Sequence, residues 1–100
     1  MSIGLQQVKD AGVRLKILQT LDKCGGYAIY ADQLYEFLND EHFHIAHEEL
    51  MRNLEWLAKQ KLVDLEQVSG LPLVTLLQHG LDVQAGRARA AGVARPRPGD

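Results

Sequence analysis

The stretch Leu62-Val63-Asp64-Leu65-Glu66-Gln67-Val68-Ser69-Gly70-Leu71-Pro72-Leu73-Val74-Thr75-Leu76-Leu77 decides the fold. Over residues 62–68 apolar and polar side chains nearly alternate, the rhythm of a strand with one face buried. Ser69-Gly70-Leu71-Pro72 carries turn residues, and 73–77 is again rich in β-formers. The spacing predicts a β-hairpin with strands 62–68 and 73–77.

Upstream the rhythm is helical. A helix over 46–61 places Leu50, Leu54 and Leu57 on one stripe, with Glu48 and Glu49 in its first turn and Lys59 and Lys61 in its last. The opposite face holds Glu48, Arg52, Glu55, Trp56 and Lys59, and Glu48–Arg52 and Glu55–Lys59 are spaced as i,i+4 ion pairs. Before it lies a turn over 41–45, then a short helix with Asp32 as its N-cap and Leu34, Tyr35, Phe37 and Leu38 as its apolar face. Tyr27–Tyr30 reads as a small strand. Leu5, Val8, Leu15, Leu18 and Leu21 predict a first helix over 5–23, stopped by Cys24-Gly25-Gly26, with Gly12 a point where it can kink. Downstream, residues 81–85 read as a last short helix between Gly80 and Gly86.

One hundred residues make one domain. It is expected to span 1–86, followed by a flexible basic Arg/Pro tail over 87–100 that ends in Arg95-Pro96-Arg97-Pro98. The net charge is −2, unevenly spread. From Cys24 to Gly86 ten acidic residues face only three bases, Arg52, Lys59 and Lys61, whereas the tail carries Arg87, Arg89, Arg95 and Arg97 against Asp100. The single cysteine, Cys24, permits no internal disulfide and reads as a buried, inert thiol of a reducing, cytoplasmic compartment. No apolar run approaches a membrane span, and Met1–Gln6 lacks the pattern of a secretory signal.

No phosphate loop, nucleophile set or motif-spaced carboxylate pair is present, so neither an enzyme nor a cofactor is expected. His42, His44 and His47 cluster near the turn without a cysteine beside them. They read as solvated turn residues, not as a metal site.

Two short helices separated by a tight turn, a third packed across them and a hairpin behind make a winged helix-turn-helix, mainly α with a small β-hairpin. The exit Lys61-Leu62-Val63-Asp64-Leu65 and the closing pattern from Thr75 to Gly86 resemble winged-helix proteins of the ArsR and MarR kinds. With Gly86-Arg87 and the proline-arginine end, the chain resembles the small winged-helix proteins of Mu-like phages and prophages. That resemblance implies a homodimeric, DNA-binding, transcription-regulator-like protein, with Ile3, Leu5 and Val8 as an apolar dimer edge. Contacts to double-stranded DNA or to a protein partner would then fall to His47, Arg52, Trp56 and Lys59 on the recognition helix and to Arg87, Arg89, Arg95 and Arg97 in the tail. The acidic core and a hairpin tip without Lys or Arg favour the alternative, a non-enzymatic protein-interaction adaptor with an acidic surface and Trp56 as anchor.

Overall fold

Residues 62–77 do fold back as paired extended chain in the computed structural model, which describes residues 4–98. Strand β2 (Val63–Val68) pairs antiparallel with β3 (Leu71–Leu76), Val63 opposite Leu76 and Val68 opposite Leu71. The turn is tighter than the sequence suggested. Ser69 and Gly70 alone form it, with φ of 53° and 80°, the left-handed pair that suits the twist of a two-residue hairpin. Leu71 and Pro72 therefore belong to β3.

The sheet has three strands, not two. β1 (Ala28–Tyr30) lies against the other edge of β3, Ile29 opposite Val74, so the order is β1-β3-β2. Pro72 sits beyond the part of β3 that β1 covers, where a residue without an N–H is tolerated.

Among the described residues four α-helices complete an α+β fold: α1 (Leu5–Lys23), α2 (Ala31–Asp40), α3 (His47–Lys59) and α4 (Gln78–Gln84). None is long and apolar enough to cross a membrane. Leu18, Leu21, Leu34, Leu38, Leu50, Leu54, Leu57, Leu62 and Val74 are fully enclosed between helices and sheet. Each such side chain contributes about 1.5–3 kcal/mol relative to exposure. The α1 helix passes Gly12 without a break.

Several boundaries differ from expectation, each for a local reason. Tyr30 is the N-cap of α2, and Asp32 stands in the first turn, where its charge still suits the helix dipole. Helices α2, α3 and α4 all stop the same way. Phe43 N–H donates to the Leu38 carbonyl and His42 N–H to Asn39; Leu62 donates to Leu57 and Lys61 to Ala58; Arg87 donates to Asp82 and Gly86 to Val83. This double bond closes a helix through one left-handed residue. That residue is His42, Lys61 and Gly86 in turn, with φ of 66°, 61° and 83°. Lys61 is thus the residue that ends α3, not a member of it.

Gly80 is inside α4 instead of bounding it. A Cβ there would lie 2.2 Å from the Leu62 carbonyl oxygen, so glycine lets α4 press on the backbone at the entry to β2. Cys24 is half-buried, its thiol donating to the Thr20 carbonyl at 3.3 Å, and burial pushes its pKa up.

The largest correction concerns the segment after α4. Residues 87–98, expected to be a flexible tail, fold back along α1. Val93 is buried in the core, Ala88, Ala90 and Ala94 pack against it, and Ala94 N–H donates to the Ala11 carbonyl at 3.1 Å. Small side chains make this contact possible, because alanine and glycine let two backbones come close. Asp100 lies outside the described residues.

Candidate nucleic-acid interface

The outward face of α3 carries the residues that a recognition helix would need, and the structure engages its one arginine with α1. Arg52 does not pair with Glu48. Its two terminal nitrogens grip Asp10 of α1, Nη1 to Oδ2 at 3.1 Å and Nη2 to Oδ1 at 3.2 Å. A planar guanidinium matches both carboxylate oxygens, and such forks are the stronger kind of ion pair. The Asp10 side chain is only 8% exposed, so a carboxylate here must be paired. The Arg52 hydrogen bond is the main reason its pKa falls below the ordinary range, with burial opposing and Gln6 and Asn53 assisting.

Asn53, fully enclosed on the leucine stripe of α3, joins the same network. Its amide donates to the Glu49 carbonyl at 2.9 Å and to Asp10 at 3.4 Å, and its Oδ1 accepts from Arg14 Nε at 2.8 Å. Lys9 pairs with Glu49 at 3.2 Å. The Lys9 hydrogen bond holds the Glu49 carboxyl below its usual range. Among the described residues no buried side-chain nitrogen or oxygen lacks a partner. Glu48, Glu55 and Lys59 form no ion pair there, so neither expected i,i+4 pair exists.

Trp56 is half-buried, packed against the core and covered from two sides. The Arg14 guanidinium lies 3.8 Å from its ring centroid, a cation–π contact. Over the ring also lies Gly92, with φ of 91°, where a Cβ would come within 2.7 Å of the indole. Arg14 Nη1 donates to the Gly92 carbonyl at 3.0 Å. One arginine thus ties α1, α3 and the C-terminal segment together.

His47 stacks edge-on to Tyr35, 5.4 Å between ring centres, and its Nε2 is 3.6 Å from Asp32. It joins the start of α3 to α2. His42 and His44 stack on each other instead, and among the described residues no three metal-ligating side chains come together. Arg87 folds back on Asp82, Nε to Oδ1 at 2.9 Å, and so secures the end of α4. Arg89, Arg95 and Arg97 are exposed, as is Lys59. The structure therefore ties Arg52 and Trp56 to α1, Arg52 through Asp10 and Trp56 through Arg14. Lys59, Arg89 and Arg95 form no ion pair among the described residues.

Asp10, Arg14, Asn53 and Gly92 carry this geometry, and the sequence reading passed over them. Two of them left a signal. Asn53 falls between Leu50 and Leu57 on a buried stripe, and a buried amide demands partners. Asp10 likewise sits among apolar positions of α1. Gly92, in an Ala/Gly-rich run, left none.

No family model matches the chain, and no solved structure does. It is similar to gp26 of Escherichia phage Mu, a protein described as uncharacterized, with 41% identity over 86 residues that cover 85% of this chain and 88% of the phage protein. Likeness of that degree over nearly both full lengths makes this chain a member of the phage Mu gp26 family.

Proposed function

We propose that this phage protein is a non-enzymatic winged-helix interaction module that docks a protein partner instead of reading DNA bases with α3. Support for the winged-helix part is the order of elements: a small strand between α1 and α2, then α3, then a hairpin whose second strand pairs with that small strand. Support for the docking part is one observation. Arg52, the only arginine of α3, is half-exposed but forked onto a buried carboxylate, and the other exposed charges on that face, Glu48, Glu55 and Lys59, include two acids. Carboxylates facing phosphates oppose the charge neutralisation that supplies most nonspecific DNA affinity.

A second reading, a homodimeric DNA-binding regulator, is favoured by the exposed Arg89 and Arg95, which form no ion pair among the described residues. In that case phosphate contacts would come from the C-terminal segment. Titration of labelled duplex DNA at about 50 and about 200 mM salt separates the two. The docking reading predicts no saturable binding at either salt. Saturable binding that weakens steeply with salt and falls in the Arg89→Gln/Arg95→Gln variant overturns it.

A further inference from the structure

We infer that the open edge of β2 binds an extended segment of a partner protein in which basic and apolar side chains alternate. This rests on the docking reading above and names the surface and the chemistry of its occupant.

In the order β1-β3-β2, β3 is flanked on both sides, and β2 is an edge of six residues with no strand beyond it among the described residues. Its free backbone groups follow from the register. A two-residue turn makes Val68 and Leu71 a hydrogen-bonded pair, and bonded and non-bonded pairs alternate from there. The far end keeps the same phase, since Leu77 N–H donates to the Leu62 carbonyl at 3.1 Å. Asp64 and Glu66 therefore turn their backbone N–H and C=O toward β3, and Leu65 and Gln67 turn theirs outward. Among the described residues nothing bonds to those outward groups. An edge of this kind can take one more strand.

The side chains select which strand. Asp64 and Glu66 point to the same face of β2, and both are exposed. Neither carboxylate forms an ion pair or a hydrogen bond among the described residues. Across the sheet their neighbours are Thr75 and Leu73, then Ala28 and Tyr30, so no base stands beside them. A strand added to β2 sets its side chains opposite these carboxylates in non-bonded pairs, the closer kind. Lys or Arg at every second position meets both. The residues between fall on the other face, beside half-buried Leu65, where apolar side chains extend its cover.

Other occupants fit worse. In a second copy, Leu65 paired with Leu65 sets Asp64 against Glu66, and Leu65 paired with Gln67 sets Glu66 against Glu66. Like charges directly opposite oppose such pairing. This chain's own arginine-bearing segment is already laid along α1 through Val93 and Ala94. A phosphate backbone would meet two carboxylates.

The test uses the full chain and a labelled Lys-Val repeat peptide, read by fluorescence anisotropy. Binding should be saturable. It should weaken at least about tenfold for a Glu-Val repeat and for the Asp64→Lys/Glu66→Lys variant, whose melting curve should match the wild type because both sites are exposed. Two further changes strike the backbone bonds alone. N-methylation of every valine removes the peptide N–H groups that face β2. Gln67→Pro removes an outward N–H and spares the ladder to β3, since Gln67 faces Pro72 in a non-bonded pair. Each should cost a similar factor. No saturable binding of the Lys-Val peptide overturns the proposal. So does equal affinity for its valine-methylated form, which would mean attraction of charges without strand pairing. Sedimentation in which Asp64→Asn/Glu66→Asn dimerises while the wild type ignores the peptide also overturns it, leaving the acids as guards against self-pairing. These outcomes leave the docking reading standing; that reading falls on duplex DNA binding through Arg89 and Arg95.

Discussion

From Val13 to Lys23, α1 buries Val13, Leu15, Ile17, Leu18 and Leu21, whereas from Leu5 to Gly12 it leaves Leu5 and Val8 in the open and buries Asp10. One continuous helix is thus held by two kinds of force. The second half is fixed by apolar area removed from water. The first half is fixed by a carboxylate that Arg52, Asn53 and Gln6 surround, by Lys9 on Glu49, and by Ala94 of the C-terminal segment on Ala11. Apolar burial is tolerant of partner identity. A paired, enclosed carboxylate demands particular donors from residues more than forty positions away. The apolar side chains that the first half does not bury are then available to something else.

Substitutions that strike one half and spare the other test this contrast. The largest effect is expected in the apolar half. Leu18→Ala empties a fully enclosed site and should cost about 2–5 kcal/mol in denaturant unfolding. A loss no larger than that of an exposed site would mean that this half is not the core.

A smaller loss, with a different dependence on pH, is expected in the polar half. Asp10→Ala strands Arg52 and Asn53 and should cost about 1–2 kcal/mol near neutrality. The carboxyls of Asp10 and Glu49 titrate lower in the folded chain than in the unfolded one. Their stabilisation is therefore complete above the unfolded value, near about pH 4, and disappears as pH falls through the lower folded value. Thermal melts from pH 6 to about pH 3 should show the wild type losing stability at the acid end. Asp10→Asn should lose less over that interval, having no charge there to neutralise. Parallel curves for the two proteins would contradict the paired carboxylate.

The smallest expected effect is at the outer cover of the polar half. Gly92→Val forces a branched side chain into a left-handed backbone and against Trp56, costing about 1 kcal/mol or more. Trp56 is the sole tryptophan, so its emission should shift to the red as the segment lifts from the ring. An unchanged spectrum would mean that the C-terminal segment does not cover it.

The same contrast separates what could be read from the sequence from what could not. The hairpin, the leucine stripe of α3 and the buried half of α1 announce themselves because periodicity is a local property. The third strand was visible as Tyr27–Tyr30, but not its neighbour, since pairing with β3 is a long-range choice. Of three helices closed by the same pair of hydrogen bonds, Gly86 alone marks its stop in the usual way; His42 and Lys61 adopt the left-handed shape without glycine, and so the end of α3 was placed late. On the face proposed for DNA, the sequence singles out Arg52 and Trp56 as candidate contacts. Their partners, Asp10 and Gly92, lie in other elements, and helix spacing suggested Glu48 in place of Asp10. The Arg/Pro composition of the last residues signals a loose tail. It carries no trace of Val93 in the core or of Arg14 reaching Gly92.

Everything functional turns on Arg52 being held by Asp10. A double-mutant cycle with Asp10→Ala, Arg52→Ala and the double variant, read by urea unfolding, measures this directly. The two residues should be coupled by about 1 kcal/mol, the double variant losing clearly less than the two single losses combined. Additive losses, with coupling below about 0.3 kcal/mol, would leave Arg52 at liberty on the face of α3 and contradict the account.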